Sequence, residues 1–171
     1  RRDGGWAPSW RRTVVPPGLR HTGVEQSTMA EATFPSGIVT FVFTDIEGST
    51  RLFHDLGDRY VAVLDRHRRV LREAWAEHRG AEVSTEGDSF LVAFAAADDA
   101  ITACAAGQRA LAAEDWADGV TLNVRMGIHS GLASPRANRY IALAVHQASR
   151  VIAAGHGGQV IVSEDTAFLA T

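Results

Sequence analysis

Two aspartates draw attention because each lies where an apolar, strand-like segment gives way to a turn. Asp45 lies in the run Phe-Val-Phe-Thr-Asp-Ile-Glu-Gly-Ser-Thr, and Asp88 lies about forty residues later in Glu-Gly-Asp-Ser-Phe. Two carboxylates held about 4 Å apart would repel each other by roughly 4 kcal/mol in a partly screened site. A divalent cation is the usual compensating charge. If the fold brings these aspartates together, they predict a metal site.

The residues that follow Asp45 are typical of a backbone loop that binds phosphate. Glycine and two hydroxyl residues lie at the start of a helical pattern that begins near Ser49. The first N–H groups of a helix have no partner within the helix and favour anions. A carboxylate pair beside such a loop indicates metal-assisted nucleotide chemistry.

The elements that must position these residues follow from the hydrophobic pattern. It predicts a buried strand over 37–44, helix from 49 to 79 with an interruption near 57–58, a hairpin of strands 82–85 and 90–94, helix over 96–113, and a strand over 121–129. This β-α-β-β-α-β order is that of a ferredoxin-like core in a mixed α/β (α+β) fold. Strand 1 is then central and next to the hairpin, so Asp45 and Asp88 meet at one edge of the sheet. Helix over 141–154, strand over 159–162 and a helix that starts at 163 are appended.

Composition narrows the class of protein. The 171 residues, with 46% hydrophobic and 22% charged, suit one domain with a proper core. A net charge of -3 gives no reason to expect nucleic-acid binding, and no apolar stretch is long enough for a membrane span. Cys104 is the single cysteine, which excludes an intrachain disulfide and favours a buried thiol in a reducing cytoplasm. All 17 Lys and Arg residues are arginine, so no mechanism of this chain alone can use a lysine.

The chain divides near residue 36. Residues 1–36 combine arginine pairs with proline and glycine and have neither a helical nor a strand period, which predicts a disordered leader. Met29 is our candidate for the natural start. Residues 37–171 form the predicted domain.

Four segments together resemble the catalytic domain of class III adenylyl/guanylyl cyclases. They are 39–50, 85–94, 124–131 and 145–151, and the resemblance extends over about residues 37–171. It implies the nucleotide cyclase fold. It also implies further strands beyond Thr171, so we expect this chain to lack the C-terminal strands of the domain.

The resemblance also implies roles for individual residues. Asp45 and Asp88, with the carbonyl of Ile46, match the ligands of two Mg²⁺ or Mn²⁺ ions. The triphosphate loop corresponds to the backbone of Ile46, Glu47, Gly48, Ser49 and Thr50. Arg150 matches the arginine that stabilises the transition state, and His146 falls where the family has a ribose-orienting asparagine. In this family two chains share each site, which implies a homodimer or a heterodimer with a related domain.

This chain departs from the family at the positions that read the base. Ser84 stands at the place of a lysine and Arg139 at the place of an aspartate, unless a one-residue slip puts Asn138 there. Ala142 replaces a glycine. Because Arg139 can donate but not accept hydrogen bonds, it suits O6 and N7 of guanine better than the amino group of adenine. The choice between ATP and GTP stays open.

Two hypotheses therefore stand. The first is an enzyme of intracellular signalling that converts a purine nucleoside triphosphate into its 3′,5′-cyclic monophosphate and pyrophosphate. The alternative is a weak or inactive cyclase-like domain that binds nucleotide or dimerises to regulate an attached effector. The metal pair favours the enzyme, whereas Ser84, Arg139 and His146 favour the module.

Overall fold

The chain folds around a five-stranded sheet with helices on both faces. The computed structural model describes residues 34–116 and 119–170. Its elements are β1 Gly37–Ile46, α1 Ser49–Leu56, α2 Arg59–Glu77, β2 Ala81–Glu86, β3 Ser89–Phe94, α3 Ala97–Ala113, β4 Val124–Ala133, β5 Pro135–Arg136, β6 Arg139–Tyr140, α4 Leu143–Ala153, β7 Val160–Val162 and α5 Glu164–Leu169. The predicted leader, residues 1–36, lies outside the described residues except for 34–36.

The sheet has the strand order β2-β3-β1-β4-β7. β1 pairs antiparallel with both β3 and β4, and β7 adds to β4 in parallel. The first four strands therefore have the ferredoxin-like arrangement with β1 near the centre. The predicted fold class is confirmed.

Both faces of β1 are covered, which explains its continuous apolar sequence. Val42 and Ile46 belong to the core formed with α2 and α3. Val39 and Phe41 belong to a second core that includes Ala144 of α4. Side chains alternate along a strand, so Asp45 projects from the face that carries Phe41, not from the α2 and α3 side.

Two regions differ from the sequence prediction. β4 begins at Val124 instead of residue 121 and continues to Ala133. The small β5-β6 hairpin was not predicted because its two-residue turn, Ala137 and Asn138, uses positive φ at both positions, and alanine gives no signal for such a turn. Tyr140 anchors the hairpin, since its buried ring packs against Phe41 and its hydroxyl donates to the carbonyl of residue 35. Burial raises the pKa of Tyr140 to about 12.

Within the described part of the chain, no helix has the length and apolar character needed to cross a membrane.

Candidate active site

The two predicted metal aspartates lie side by side at one edge of the sheet. The register that pairs Thr44 with Phe90 puts the end of β1 beside the β2-β3 turn, where Gly87 takes φ 57°. The Asp88 carboxylate accepts a hydrogen bond of 3.2 Å from the backbone N–H of Ile46, the residue next to Asp45. The antiparallel register thus joins groups that are 42 residues apart in the chain.

An arginine from the neighbouring strand forms an ion pair with Asp45. Arg125 lies opposite Asp45 in the β1-β4 pairing. Its Nε and Nη2 donate to one oxygen of Asp45, Oδ2, at 2.9 and 2.5 Å. The other oxygen, Oδ1, accepts a weaker bond of 3.3 Å from the Ser89 hydroxyl. Each oxygen of Asp45 therefore has a protein donor.

Helix α2 supports the aspartate turn from the side. Arg68 donates from Nη2 to the carbonyl of Gly87 at 2.5 Å and so ties the turn to the helix. The two aspartates also act on Tyr60 of α2. Burial and then the negative charge of Asp88 raise the pKa of Tyr60, with a smaller contribution from Asp45. Arg68 acts in the opposite direction on Tyr60.

Two backbone N–H groups of the candidate triphosphate loop donate hydrogen bonds that hold it in place. The N–H of Ile46 donates to Asp88, and the N–H of Glu47 donates to the carbonyl of Asn123 at 2.8 Å. Gly48 has φ 70° and precedes α1, which has no side-chain cap. The free helix start is therefore at Gly48 to Thr50, and two of the five predicted N–H groups already have partners in this structure.

Glycine 157 lets the loop pack closely against the chain that precedes β7. A Cβ at Gly157 would lie 2.7 Å from Oε2 of Glu47 and 2.5 Å from Cβ of Asn123. Such separations are shorter than non-bonded carbon and oxygen atoms tolerate. The loop position therefore depends on this glycine.

The other two predicted catalytic residues lie apart from the aspartates. Ala144, Ala148 and Ile152 form the buried stripe of α4. His146 and Arg150 are exposed and, at 3.6 residues per turn, fall about half a turn away from that stripe. Within the described residues, no hydrogen bond or ion pair joins either of them to Asp45 or Asp88. Both side chains therefore face outward from their own sheet.

The two predicted base-reading residues are both exposed. Ser84 pairs with Leu91, and Leu91 pairs with Phe43, so Ser84 lies on the sheet face that also carries Asp45. Arg139 lies instead on the β5-β6 hairpin, directly opposite Arg136. Asn138, the alternative candidate, occupies the turn itself.

The donor atoms at the aspartate edge suit a hard divalent cation. The two carboxylates supply only oxygen, which Mg²⁺ prefers. Among the described residues there is no group of three or more acidic, histidine or cysteine side chains that could hold a metal. Mg²⁺ sites of the phosphate-transfer type use one or two carboxylates and take their remaining ligands from water and phosphate. The residues present fit that kind of ion.

Comparison with known proteins identifies the family. The family model described as the adenylate and guanylate cyclase catalytic domain matches residues 32–171. The chain belongs to this family. Its predicted membership and its assignment to the cyclase class of enzymes are thereby confirmed.

Two sequence relatives illustrate the match. The chain is 34% identical over 161 residues to an adenylate cyclase of Podospora anserina, with 80% of this chain and 8% of that protein covered. It is 30% identical over 163 residues to an uncharacterised protein of Mycobacterium tuberculosis, with 94% of this chain and 55% of that protein covered. The chain thus spans about half of one relative and a small fraction of the other.

Solved structures agree with the fold. An adenylate cyclase of Trypanosoma brucei in its monomeric state superposes with a TM-score of 0.76 at 24% identity, covering 82% of this chain and 77% of that one. The adenylyl cyclase CyaB of P. aeruginosa gives 0.66 at 26%, covering 78% and 80%. A non-canonical dimeric guanylyl cyclase domain of Blastocladiella emersonii gives 0.71 at 21%, covering 78% and 83%.

Sequence reasoning missed the residues that surround the aspartates. Side chains alternate along β4, so Arg125 lies on the face opposite to the buried Met126. This alternation indicated a charged side chain that points away from that core. It could not reveal that Asp45 is its partner, because that depends on the β1-β4 register. Ser89 and Arg68 likewise gained their contacts only through the turn geometry.

Proposed function

We propose that the domain converts a purine nucleoside triphosphate, ATP or GTP, into its 3′,5′-cyclic monophosphate and pyrophosphate in cytoplasmic signalling. The observation that carries this proposal is the meeting of Asp45 and Asp88 beside the free start of α1. Asp45, Asp88 and the carbonyl of Ile46 would hold two Mg²⁺ or Mn²⁺ ions. Such ions lower the pKa of the ribose 3′-hydroxyl and neutralise charge on the leaving pyrophosphate.

Other residues of the chain would then bind and orient the nucleotide. The backbone from Ile46 to Thr50 holds the triphosphate, with Gly48 to Thr50 offering the N–H groups of the helix start. Arg150 stabilises charge on the α-phosphate, because a guanidinium fork suits phosphate oxygens. His146 helps to position the ribose, and Ser84 and Arg139 contact the base.

A shared site explains why Arg150 and His146 face outward. If they act on a nucleotide held by the aspartates of a second copy, their exposed position on α4 is appropriate. Exposed apolar side chains beside α4 support a second copy there: Leu132, Ile141 and Leu143 are 75%, 89% and 73% exposed around one cavity. Large exposed apolar groups that cluster typically mark an interface. We therefore propose a homodimer.

A second candidate function is favoured by Arg139. The hairpin places it opposite Arg136, so two positive charges face each other where the family has an aspartate. A domain that cannot hold the base well could bind nucleotide or dimerise and so regulate an attached effector. The aspartate pair, Asp45 and Asp88, favours the enzyme. The residues at the base-reading positions, Ser84 and Arg139, favour this module.

The test is cyclic nucleotide production from ATP and from GTP, with Mn²⁺ and with Mg²⁺, over a series of protein concentrations. We expect product that rises faster than linearly with protein, and we expect Asp45→Asn to abolish it. Asp55→Asn, an exposed carboxylate of α1, is the matched control and should retain activity. Binding of a nucleotide–metal complex without any product would favour the regulatory module.

Mixing two inactive variants tests whether the site is shared. Asp45→Asn and Arg150→Ala should each be inactive alone, and together they should recover part of the activity. Mixed dimers that form but remain inactive would contradict the shared site.

A further inference from the structure

We propose that Arg125, which forms an ion pair with Asp45, competes with the divalent cation for this carboxylate. This inference rests on the proposed metal-binding role of Asp45. It concerns a residue for which the sequence suggested no role. Its consequence is that the ion binds at Asp45 only when the guanidinium leaves.

The contacts of Asp45 provide the first step of the argument. Nε and Nη2 of Arg125 both donate to Oδ2 of Asp45, and Oδ1 accepts from the Ser89 hydroxyl. A divalent cation held by Oδ2 would bring its charge close to the guanidinium, and the two positive charges would repel each other. Oδ2 of Asp45, which already accepts two charge-assisted hydrogen bonds, cannot bind both the arginine and the metal with full strength.

The surroundings of Arg125 allow it to move. Its side chain is 34% exposed and that of Asp45 is 27% exposed, so the pair lies at the surface of the sheet edge rather than sealed in the core. Among the described residues, Asp45 is the only carboxylate that pairs with Arg125. Once displaced, the guanidinium can be hydrated without breaking any other ion pair in that set.

A purely structural arginine predicts the opposite result. If Arg125 only braced β1 against β4, its removal would loosen Asp45 and weaken metal binding or leave it unchanged. If Arg125 competes, its removal uncovers Asp45 and strengthens metal binding in the absence of nucleotide. The sign of the change in affinity separates the two roles.

The experiment measures Mn²⁺ affinity of the nucleotide-free chain by the electron paramagnetic resonance signal of free Mn²⁺. We expect Arg125→Gln to bind Mn²⁺ about tenfold more tightly than the wild type. Arg51→Gln is the matched control, since Arg51 is an exposed arginine of α1 that pairs with Asp55, and it should not change the affinity. Unchanged or weaker Mn²⁺ binding by a folded Arg125→Gln variant would overturn the proposal.

A measurement on the wild type covers the case in which the variant fails to fold. The Nε–H of Arg125 donates to Asp45, and its proton should exchange faster with solvent as Mg²⁺ is added, as measured by nuclear magnetic resonance. An exchange rate that stays constant up to Mg²⁺ saturation would overturn the competition.

Asp45→Asn separates this inference from the function on which it rests. If that variant binds Mn²⁺ as tightly as the wild type, the ion is not held by Asp45, and the metal assignment and the inference both fail. If it loses Mn²⁺ binding while Arg125→Gln gives no gain, the metal site stands and only the role of Arg125 is wrong.

Discussion

The buried histidine of α2 should make the stability of the domain depend on pH. His67 is fully buried, packs near the ring of Phe90, and neither ring nitrogen has a partner among the described residues. Burial, and to a smaller degree the charge of Arg68, lowers the pKa of His67 from 6.5 to about 4. The folded protein therefore keeps this ring neutral at pH values where the unfolded chain protonates it.

The sign and size of the effect follow from this difference. Above about pH 6.5 the ring is neutral in both states and contributes no pH dependence. As the pH falls towards 4, only the unfolded chain takes up the proton, so the free energy of unfolding decreases. At about 1.4 kcal/mol per pH unit, the total loss is on the order of 3 kcal/mol, and about 2 kcal/mol of it should appear between pH 8 and pH 5. That is a large fraction of the 5–15 kcal/mol typical of a domain.

Urea unfolding at a series of pH values measures this contribution. His67→Leu should lose less stability than the wild type between pH 8 and pH 5, by about 2 kcal/mol. The exposed His156 supplies the control, and His156→Gln should keep the wild-type pH dependence. Carboxylates titrate in all three proteins, so their effect cancels in the comparison. The reasoning is refuted if His67→Leu and the wild type have the same pH dependence.

Two further predictions concern close packing. Gly157→Ala should displace the loop at Glu47 and lower cyclase activity at least tenfold while the fold persists, as measured by product formation and circular dichroism. Full activity would contradict the argument from the 2.5 Å approach to Cβ of Asn123. Cys104 is completely buried, and burial raises its pKa well above the usual range. A thiol reagent at pH 8 should therefore label it only after unfolding in urea, and rapid labelling of the native protein would show that α3 opens readily.

The sequence predicted those features that depend on local patterns. The apolar run of β1 and the Gly-Asp turn were sufficient to expect a central strand beside a hairpin, and the register pairing Thr44 with Phe90 then brings the aspartates together. The buried stripe of α4 also follows from helical periodicity. Because that stripe fixes the opposite face, the exposure of Arg150 was implicit in the same pattern.

Other features depend on contacts between distant parts of the chain. The ion pair of Arg125 with Asp45 joins residues 80 positions apart, and no local pattern encodes the strand register that creates it. The β5-β6 hairpin was missed for a different reason: Ala137 takes a positive φ that alanine seldom adopts, so the usual turn residues are absent. The resemblance to cyclases supplied candidate roles but not these contacts.

The proposed cation site accounts for an arrangement at the aspartate edge that stability alone would not favour. A carboxylate beside a second carboxylate is unfavourable unless something positive compensates for it. Arg125 does this for Asp45, while Asp88 accepts a hydrogen bond from the N–H of Ile46 at 3.2 Å. A pair of apolar residues would hold β1 and the hairpin turn together without this repulsion. This is the repulsion that the proposed exchange of Arg125 for a metal would relieve, and the Mn²⁺ affinity of Arg125→Gln is the measurement that decides it.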